Sequence, residues 1–372
     1  MGRIVLCLQI FLLLQCNSCD STQSKYTSIF SFGDSYTDTG NIAIIWSAPA
    51  SDLLVTKPPY GMTFFGHPTG RISDGRLAID FIAEALGLPF LPPSHSANES
   101  FLQGANFAVA GGTALNQTFF VENGDHFSAP DNVSLSDQLG WFDAMKPSLC
   151  NSARACEDYF ARALFFVGEF GWNDYGFMLL SDRSVDEVRS HTPQVVGMIS
   201  AATEKLIKEG GKTVVVSGLT AMGCATGNLV LFESQNEADY EPDTGCLKDL
   251  NSLCRDHNLQ LRRALTQLNG RYPGVRIIYA DLYTPIVNFV LTPERYGFNG
   301  TDGALRCCCG GGGGRFNYNA IMPCGMPGVS ACANPSAYVN WDGVHLTEAA
   351  NHHIADGWLK GPYAHPPILS TI

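Results

Sequence analysis

Three side chains near the two ends of the chain have the chemistry of a hydrolytic centre. Ser35 lies in residues 32–41, with the sequence FGDSYTDTGN, and Asp342 and His345 lie in residues 341–347, with the sequence WDGVHLT. A serine hydroxyl is a weak nucleophile at neutral pH, so it needs an imidazole to take its proton and a carboxylate to orient that imidazole. A glycine between Asp342 and His345 lets a turn fold the carboxylate back on to the imidazole. The set predicts a serine hydrolase.

Each of these residues also has an ordinary structural interpretation. Ser35 follows a candidate strand, where a serine commonly caps the next helix. An isolated Asp-x-x-His pair is more often a structural hydrogen bond than part of a catalytic site. The nucleophile elbow of α/β-hydrolases, Gly-x-Ser-x-Gly, occurs nowhere in the chain. The hydrolase prediction therefore depends on whether other residues complete the site.

Two further segments offer hydrogen-bond donors for the negative oxygen that develops during acyl transfer. Removing one such donor typically costs about 2.7–4 kcal/mol of barrier. Gly111 or Gly112 can present a backbone N–H after a second candidate strand, and Asn173 can donate from its side-chain amide after a third. Taken alone, each segment is better explained as a plain turn.

The elements that must position these residues alternate between short apolar strands and amphipathic helices. This alternation predicts an α/β fold with a parallel sheet, in which ligands bind at the carboxyl ends of the strands. Strands are predicted over residues 27–32, 105–109, 163–167, 213–216 and 275–279, and helices over residues 75–86, 185–209, 247–269 and 347–358. Pro193 predicts a kink or break in the second helix.

The domain organisation follows from the absence of repeats and polar linkers. We predict a signal peptide over residues 1–19, because Arg3 precedes an apolar run that is too short to span a bilayer. A single domain over residues 20–372 follows, with long loops at about 46–74, 89–100 and 301–340. No second apolar run of spanning length occurs, so we expect no stable membrane insertion.

Composition limits the partners and the compartment. The net charge of −12, with 23 unclustered basic residues, argues against nucleic acid and anionic membranes. Ten cysteines lie after the predicted signal peptide, an even number that suits disulfides in a secreted protein, and Cys150 and Cys156 are expected to close a small loop. Metal binding is the weaker interpretation of residues 307–309. Four glycosylation acceptors are predicted, Asn98, Asn116, Asn132 and Asn299.

In order along the chain, four segments resemble the conserved blocks of the GDSL esterase/lipase family, also called SGNH hydrolases. They are residues 32–41, 106–113, 171–174 and 341–347, and the first is closest to the plant form of its block. The resemblance covers about residues 27–361. No block is degraded, so a catalytically dead relative is not expected.

The resemblance implies a fold and a role for each residue. The fold is a three-layer α/β/α sandwich with a flavodoxin-like parallel sheet. Ser35 is the nucleophile, His345 the base and Asp342 the residue that orients the base. The backbone N–H of Ser35, the backbone N–H of Gly111 and the amide of Asn173 form the oxyanion hole, although the glycine after Gly111 fits its place equally well. No cofactor is implied.

Two functions fit these residues, and a third fits them poorly. The leading one is a secreted carboxylic ester hydrolase that acts through a serine acyl-enzyme on a small acylated metabolite, lipid or acetylated glycan, in the apoplast or cell wall. The alternative is an acyltransferase that passes the same acyl group to an alcohol. A binding protein without turnover predicts damage at Ser35, Asn173 or His345, and all three are present. We expect a monomer that takes a small-molecule ester.

Overall fold

The computed structural model describes residues 25–47, 53–125 and 133–370. The predicted signal peptide over residues 1–19 and the predicted glycosylation acceptor Asn132 lie outside the described residues. Among the helices of the described ranges, none is both long enough and apolar enough to cross a membrane.

The described residues contain one large sheet and one small one. The strands are β1 (Ser28–Phe32), β2 (Gly104–Asn106), β3 (Ala163–Val167), β4 (Thr213–Ser217), β5 (Arg276–Ala280), β6 (Cys309–Gly310), β7 (Ser330–Ala331) and β8 (Ala364–His365). The large sheet has the order β2-β1-β3-β4-β5-β8, with parallel pairing from β2 to β5 and an antiparallel β8 at the edge. The order 2-1-3-4-5 is that of flavodoxin-like sheets, which confirms the predicted fold.

Helices connect and cover the strands. Within the described ranges they are α1 (Asn41–Ile45), α2 (Ala78–Ala85), α3 (Gln117–Glu122), α4 (Leu135–Leu149), α5 (Ala153–Phe160), α6 (Trp172–Leu180), α7 (Val185–Ser190), α8 (Thr192–Lys208), α9 (Thr226–Leu231), α10 (Lys248–Arg271), α11 (Tyr283–Leu291), α12 (Gly300–Leu305) and α13 (Glu348–Lys360). Helix α8 packs against α10, and α2 packs against α13. The central strands β1, β3 and β4 are buried throughout, so helices cover both faces of the sheet and make the three-layer sandwich.

Strand β2 is shorter than predicted, because it ends at Asn106 and does not continue to residue 109. The side chain of Asn106 accepts a hydrogen bond from the N–H of Ala108 at 2.8 Å and donates to the carbonyl of Thr37 at 2.7 Å. Such local side-chain bonds compete with the regular ladder of a sheet. Beyond Asn106 the chain still runs beside β1, because the N–H of Phe107 donates to the carbonyl of Ser31 at 2.7 Å and that of Val109 to the carbonyl of Gly33 at 3.3 Å, but the regular ladder has ended.

The predicted helix over residues 185–209 is two helices. Helix α7 ends at Ser190, α8 starts at Thr192, and His191 forms the break between them. Pro193 lies in the first turn of α8. Backbone N–H groups in a first turn have no acceptor within the helix, so a proline there costs no helical hydrogen bond. The predicted break is confirmed.

Four disulfides are present in the described residues, and one of them is the predicted Cys150–Cys156 loop. The others are Cys224–Cys246, Cys308–Cys332 and Cys309–Cys324. The predicted disulfides are confirmed, and two of the ten cysteines, Cys254 and Cys307, are free and buried.

The short β6–β7 hairpin lies against the segment that leads to Asp342. The N–H of Cys308 donates to the carbonyl of Asn340 at 2.9 Å, and the N–H of Cys309 donates to the carbonyl of Trp341 at 2.7 Å. Cys308 and Cys309, which hold the backbone of residues 340 and 341, are themselves linked by disulfides to Cys332 and Cys324.

Candidate active site

Three of the predicted site residues follow neighbouring strands of the large sheet. Ser35 follows β1, Gly111 follows β2, and Asn173 follows β3. Strand β1 lies between β2 and β3 and pairs in parallel with both, so the three loops leave the same edge of the sheet. The sheet order therefore gathers residues that are far apart in sequence.

The loop that carries Ser35 is a tight turn held by side chains. The carbonyl of Asp34 accepts the N–H of Thr37 at 3.1 Å and that of Asp38 at 2.9 Å. Gln138 of α4 clamps Gly33, because its amide donates to the Gly33 carbonyl at 2.7 Å and accepts from the Gly33 N–H at 3.0 Å. Ser35 itself is 7% exposed at the end of this rigid turn.

Asp38, and not Ser35, caps the helix that follows the serine loop. Helix α1 begins at Asn41, and the carboxylate of Asp38 accepts the N–H groups of Gly40, Asn41 and Ile42 at 2.7, 2.6 and 3.0 Å. It also accepts the N–H of Ala110 at 2.9 Å, which ties the serine loop to the Gly111 turn. Burial raises the pKa of Asp38 to about 6. Sequence analysis missed this residue because a lone aspartate in a motif does not reveal its partners.

Asp342 and His345 form the pair that their spacing predicts. Nδ1 of His345 lies 3.0 Å from Oδ1 and 2.9 Å from Oδ2 of Asp342, and Oδ1 also accepts the N–H groups of Val344 and His345. Gly343 makes the turn with a φ of +105°, and a Cβ there would lie 2.3 Å from the ring of Tyr318. Burial acts to raise the pKa of Asp342, but the charge of His345 and these hydrogen bonds outweigh it and lower the pKa to about 2. Asp342 is therefore ionised at neutral pH.

The second imidazole nitrogen, Nε2 of His345, is buried and has no hydrogen-bond partner among the described residues. Tyr36, which follows Ser35, donates from its hydroxyl to the carbonyl of Val344 at 2.8 Å, and its ring centroid lies 5.8 Å from that of His345. These contacts bring the serine and histidine loops together. Within the described ranges no hydrogen bond joins Ser35 Oγ to Nε2, a contact that in many hydrolases tightens only when substrate binds.

The backbone N–H groups near Ser35 divide into paired and free ones. In the part of the chain that the structure describes, those of Ser35 and Gly111 donate no hydrogen bond, whereas the N–H of Gly112 donates to the carbonyl of Val109 at 2.9 Å. Gly111 has a φ of +80°, which favours glycine. The side-chain amide of Asn173 donates to the carbonyl of Gly112 at 2.9 Å and to Asp34 Oδ2 at 3.1 Å. All three donors thus lie around the Ser35 turn.

Tyr60 is a further site residue, and sequence analysis missed it. Its hydroxyl donates to Oδ2 of Asp342 at 2.9 Å, and its ring packs edge-on against Trp341 at 5.9 Å. Burial, together with the charge of Asp342, raises the pKa of Tyr60 well above its ordinary value, so the hydroxyl keeps its proton. The two residues are 282 positions apart, and no local pattern signals the contact.

Replacing Tyr60 with phenylalanine is expected to lower kcat for ester hydrolysis about threefold to tenfold, because one neutral-to-charged hydrogen bond to Asp342 is lost while the ring still packs. Steady-state kinetics of the purified variant measures this. Tyr159→Phe is the matched control, since the hydroxyl of Tyr159 donates to the carbonyl of Leu102 at 2.7 Å and not to a residue of the site. Equal kinetics for both variants would show that the Tyr60 contact is not used.

Comparison with known proteins agrees with this geometry. Residues 29–358 match the family of GDSL-like lipases and acylhydrolases. A GDSL esterase/lipase of Arabidopsis thaliana is 46% identical over 353 residues, which cover 94% of this chain and 88% of that protein. The sinapine esterase of Brassica napus is 46% identical over 347 residues, which cover 92% of this chain and 87% of that enzyme. The resemblance found in the sequence is thereby confirmed, and the chain belongs to the GDSL lipase/acylhydrolase family as a carboxylic ester hydrolase.

Proposed function

We propose that Ser35 is the nucleophile of this ester hydrolase, with His345 as its general base and Asp342 as the residue that orients the base. The observation that carries the proposal is the Asp342–His345 contact at 2.9 Å, which leaves Nε2 buried, without a partner among the described residues, and beside the Ser35 loop. An ionised Asp342 holds the proton of Nδ1 in place, so Nε2 is the nitrogen left to accept a proton.

The reaction then runs in two halves. Ser35 Oγ bonds to the ester carbonyl carbon while its proton moves to Nε2 of His345, and the same proton passes to the alcohol oxygen as the ester C–O bond breaks. A water molecule attacks the acyl-serine in the same way, giving the carboxylic acid and free Ser35.

The oxyanion hole in this proposal consists of the N–H of Ser35, the N–H of Gly111 and the amide of Asn173. The choice of Gly111 is supported by its unpaired N–H in the described residues and by the engaged N–H of Gly112. Both hydrogens of the Asn173 amide have acceptors, so one of them must turn from Asp34 or Gly112 to the substrate oxygen.

Asn173→Ala is expected to lower kcat by about 10²-fold to 10³-fold with little change in KM, because the lost donor acts mainly on the charge of the transition state. Asn269→Ala, an exposed change on α10, is the control for asparagine removal. An Asn173→Ala variant with unchanged kcat would remove Asn173 from the oxyanion hole.

The natural substrate in this proposal is a small acylated metabolite, with a lipid or an acetylated glycan as the other classes. The similarity to a relative named sinapine esterase supports the first class. A panel of acetyl, butyryl, long-chain and hydroxycinnamoyl esters, assayed with wild type and Ser35→Ala, tests it. A strong preference for the long-chain members would contradict it, and acyl transfer to an added alcohol in preference to water would favour the acyltransferase.

We also propose that the protein is secreted into the apoplast or cell wall, as a single domain over residues 20–372 and as a monomer. Four disulfides support an oxidising compartment. The acceptors Asn98, Asn116 and Asn299 are exposed, as glycosylation requires. Glycosidase treatment of protein made in plant cells should lower its apparent mass, and an unchanged mass would contradict glycosylation.

A further inference from the structure

The carboxyl groups of Asp34 and Glu169 lie close together next to the Ser35 turn, and neither takes part in the proposed reaction steps. Asp34 follows β1, and Glu169 follows the neighbouring strand β3. Their side chains are within hydrogen-bonding reach of each other. Asp34 is 0% exposed and Glu169 is 1% exposed, so water does not screen the pair.

No lysine or arginine offsets two negative charges at this place in the described residues, since none forms an ion pair with either group. The nearby charged groups that act on the pair are Asp174, which is a third carboxyl, and His345. Two buried carboxylates in contact share one proton, because the second ionisation costs several kcal/mol in a dry site.

The hydrogen bonds indicate which group holds the proton. Oδ1 of Asp34 accepts the N–H of Tyr36 at 2.9 Å, and Oδ2 accepts the amide of Asn173 at 3.1 Å, so donors stabilise its ionised form. Glu169 has one such donor, the N–H of Trp172 on Oε1 at 3.0 Å, while Oε2 is buried without a donor in the described ranges. Burial, followed by the charge of Asp34, raises the pKa of Glu169 well above its ordinary value.

We propose that Glu169 is protonated in the resting enzyme and donates a hydrogen bond to the carboxylate of Asp34. This hydrogen bond makes Glu169 a positioning residue for Asn173 and the Ser35 turn. Asp34 is the connecting group, since its carboxylate holds the Asn173 amide and its backbone carbonyl closes the turn around Ser35. The positioning role rests on the function proposed above for Ser35 and Asn173. The location of the proton on Glu169 does not depend on that function.

The kinetic test compares two variants of the full-length protein. Glu169→Gln keeps an N–H donor toward Asp34 and removes the titrating group, so kcat is expected to stay within about threefold of wild type. Glu169→Leu removes the donor, and kcat is expected to fall at least about tenfold with KM within about twofold, because the catalytic groups lose their alignment. Equal loss in both variants would overturn the positioning role.

The spectroscopic test needs no activity. A difference infrared spectrum of wild type minus Glu169→Gln at pH 7 is expected to contain the carbonyl band of a protonated carboxylic acid, shifted in D₂O. Glu187→Gln is the control, because Glu187 is exposed and its pKa is lowered by hydrogen bonds from Ser184. No such band with folded Glu169→Gln would overturn the proposal.

The two tests separate the failure of this inference from the failure of the proposed function. If Ser35→Ala keeps full activity, the proposed function fails, and the infrared band still decides where the proton is. If Glu169→Leu does not fold, two results decide the proposal: the infrared band, and whether Glu169→Gln restores folding and kcat. A Glu169→Gln variant that also fails to fold would overturn the proposal.

Discussion

Ser35→Ala is expected to lower kcat for ester hydrolysis by roughly 10⁴-fold to 10⁶-fold, the loss seen when the nucleophile of a serine hydrolase is removed. The hydroxyl is the only atom of this turn that can form the acyl-enzyme in the proposed mechanism, and alanine leaves the backbone bonds at Asp34 and Gly33 in place. Rates with a chromogenic acetate or butyrate ester measure the loss.

Ser148→Ala is the matched control for that prediction, since Ser148 is exposed near the end of α4 and far along the chain from the site. Circular dichroism and the melting temperature should match wild type for both variants. Activity of Ser35→Ala near the wild-type rate, in a folded sample, would contradict the assignment of the nucleophile.

Asp342→Asn is expected to lower kcat by about 10⁴-fold with the fold retained. An asparagine can turn its NH₂ group toward Nδ1 of His345, which stabilises the tautomer with the proton on Nε2 and leaves no base for Ser35. Single-turnover and steady-state rates measure the effect. A loss of less than about tenfold would show that Asp342 does not set the tautomer.

The same variant should also change the acid sensitivity of the fold. The pKa of Asp342 is 3.8 in its ordinary state and about 2 in the folded protein. Because the folded value is depressed, the ionised group adds stability above about pH 4, and this stability is lost as the pH falls from 4 toward 2. Asp342→Asn should therefore lower the free energy of unfolding by about 2 kcal/mol above pH 4, with a flatter dependence below it.

Local patterns predicted the fold class and the residues that lie in short motifs. Strand β3 was predicted with both ends correct, since five apolar residues in a row favour a buried strand. The Asp342–His345 pair was found because both residues belong to one turn. Helix α4 was not predicted, because Gly140 and Pro147 interrupt its pattern and its apolar residues form no clear stripe.

Other features depend on contacts that no local pattern encodes. Gln138 reaches Gly33 across 105 positions, and Tyr60 reaches Asp342 across 282. Gly111 and Gly112 are identical residues in sequence, and they differ only in where the folded chain directs their N–H groups. Such features arise from the strand order and the loop paths, which become defined when the whole chain packs.

The position of Asp342 depends on disulfides, through the short β6–β7 hairpin. This hairpin supports the backbone of residues 340 and 341, just ahead of Asp342, and two disulfides fix it to residues 324 and 332. The serine turn after β1 involves none of the described disulfides. We therefore expect reduction of these two disulfides to loosen the hold on Asp342 and His345 while the serine turn keeps its own hydrogen bonds.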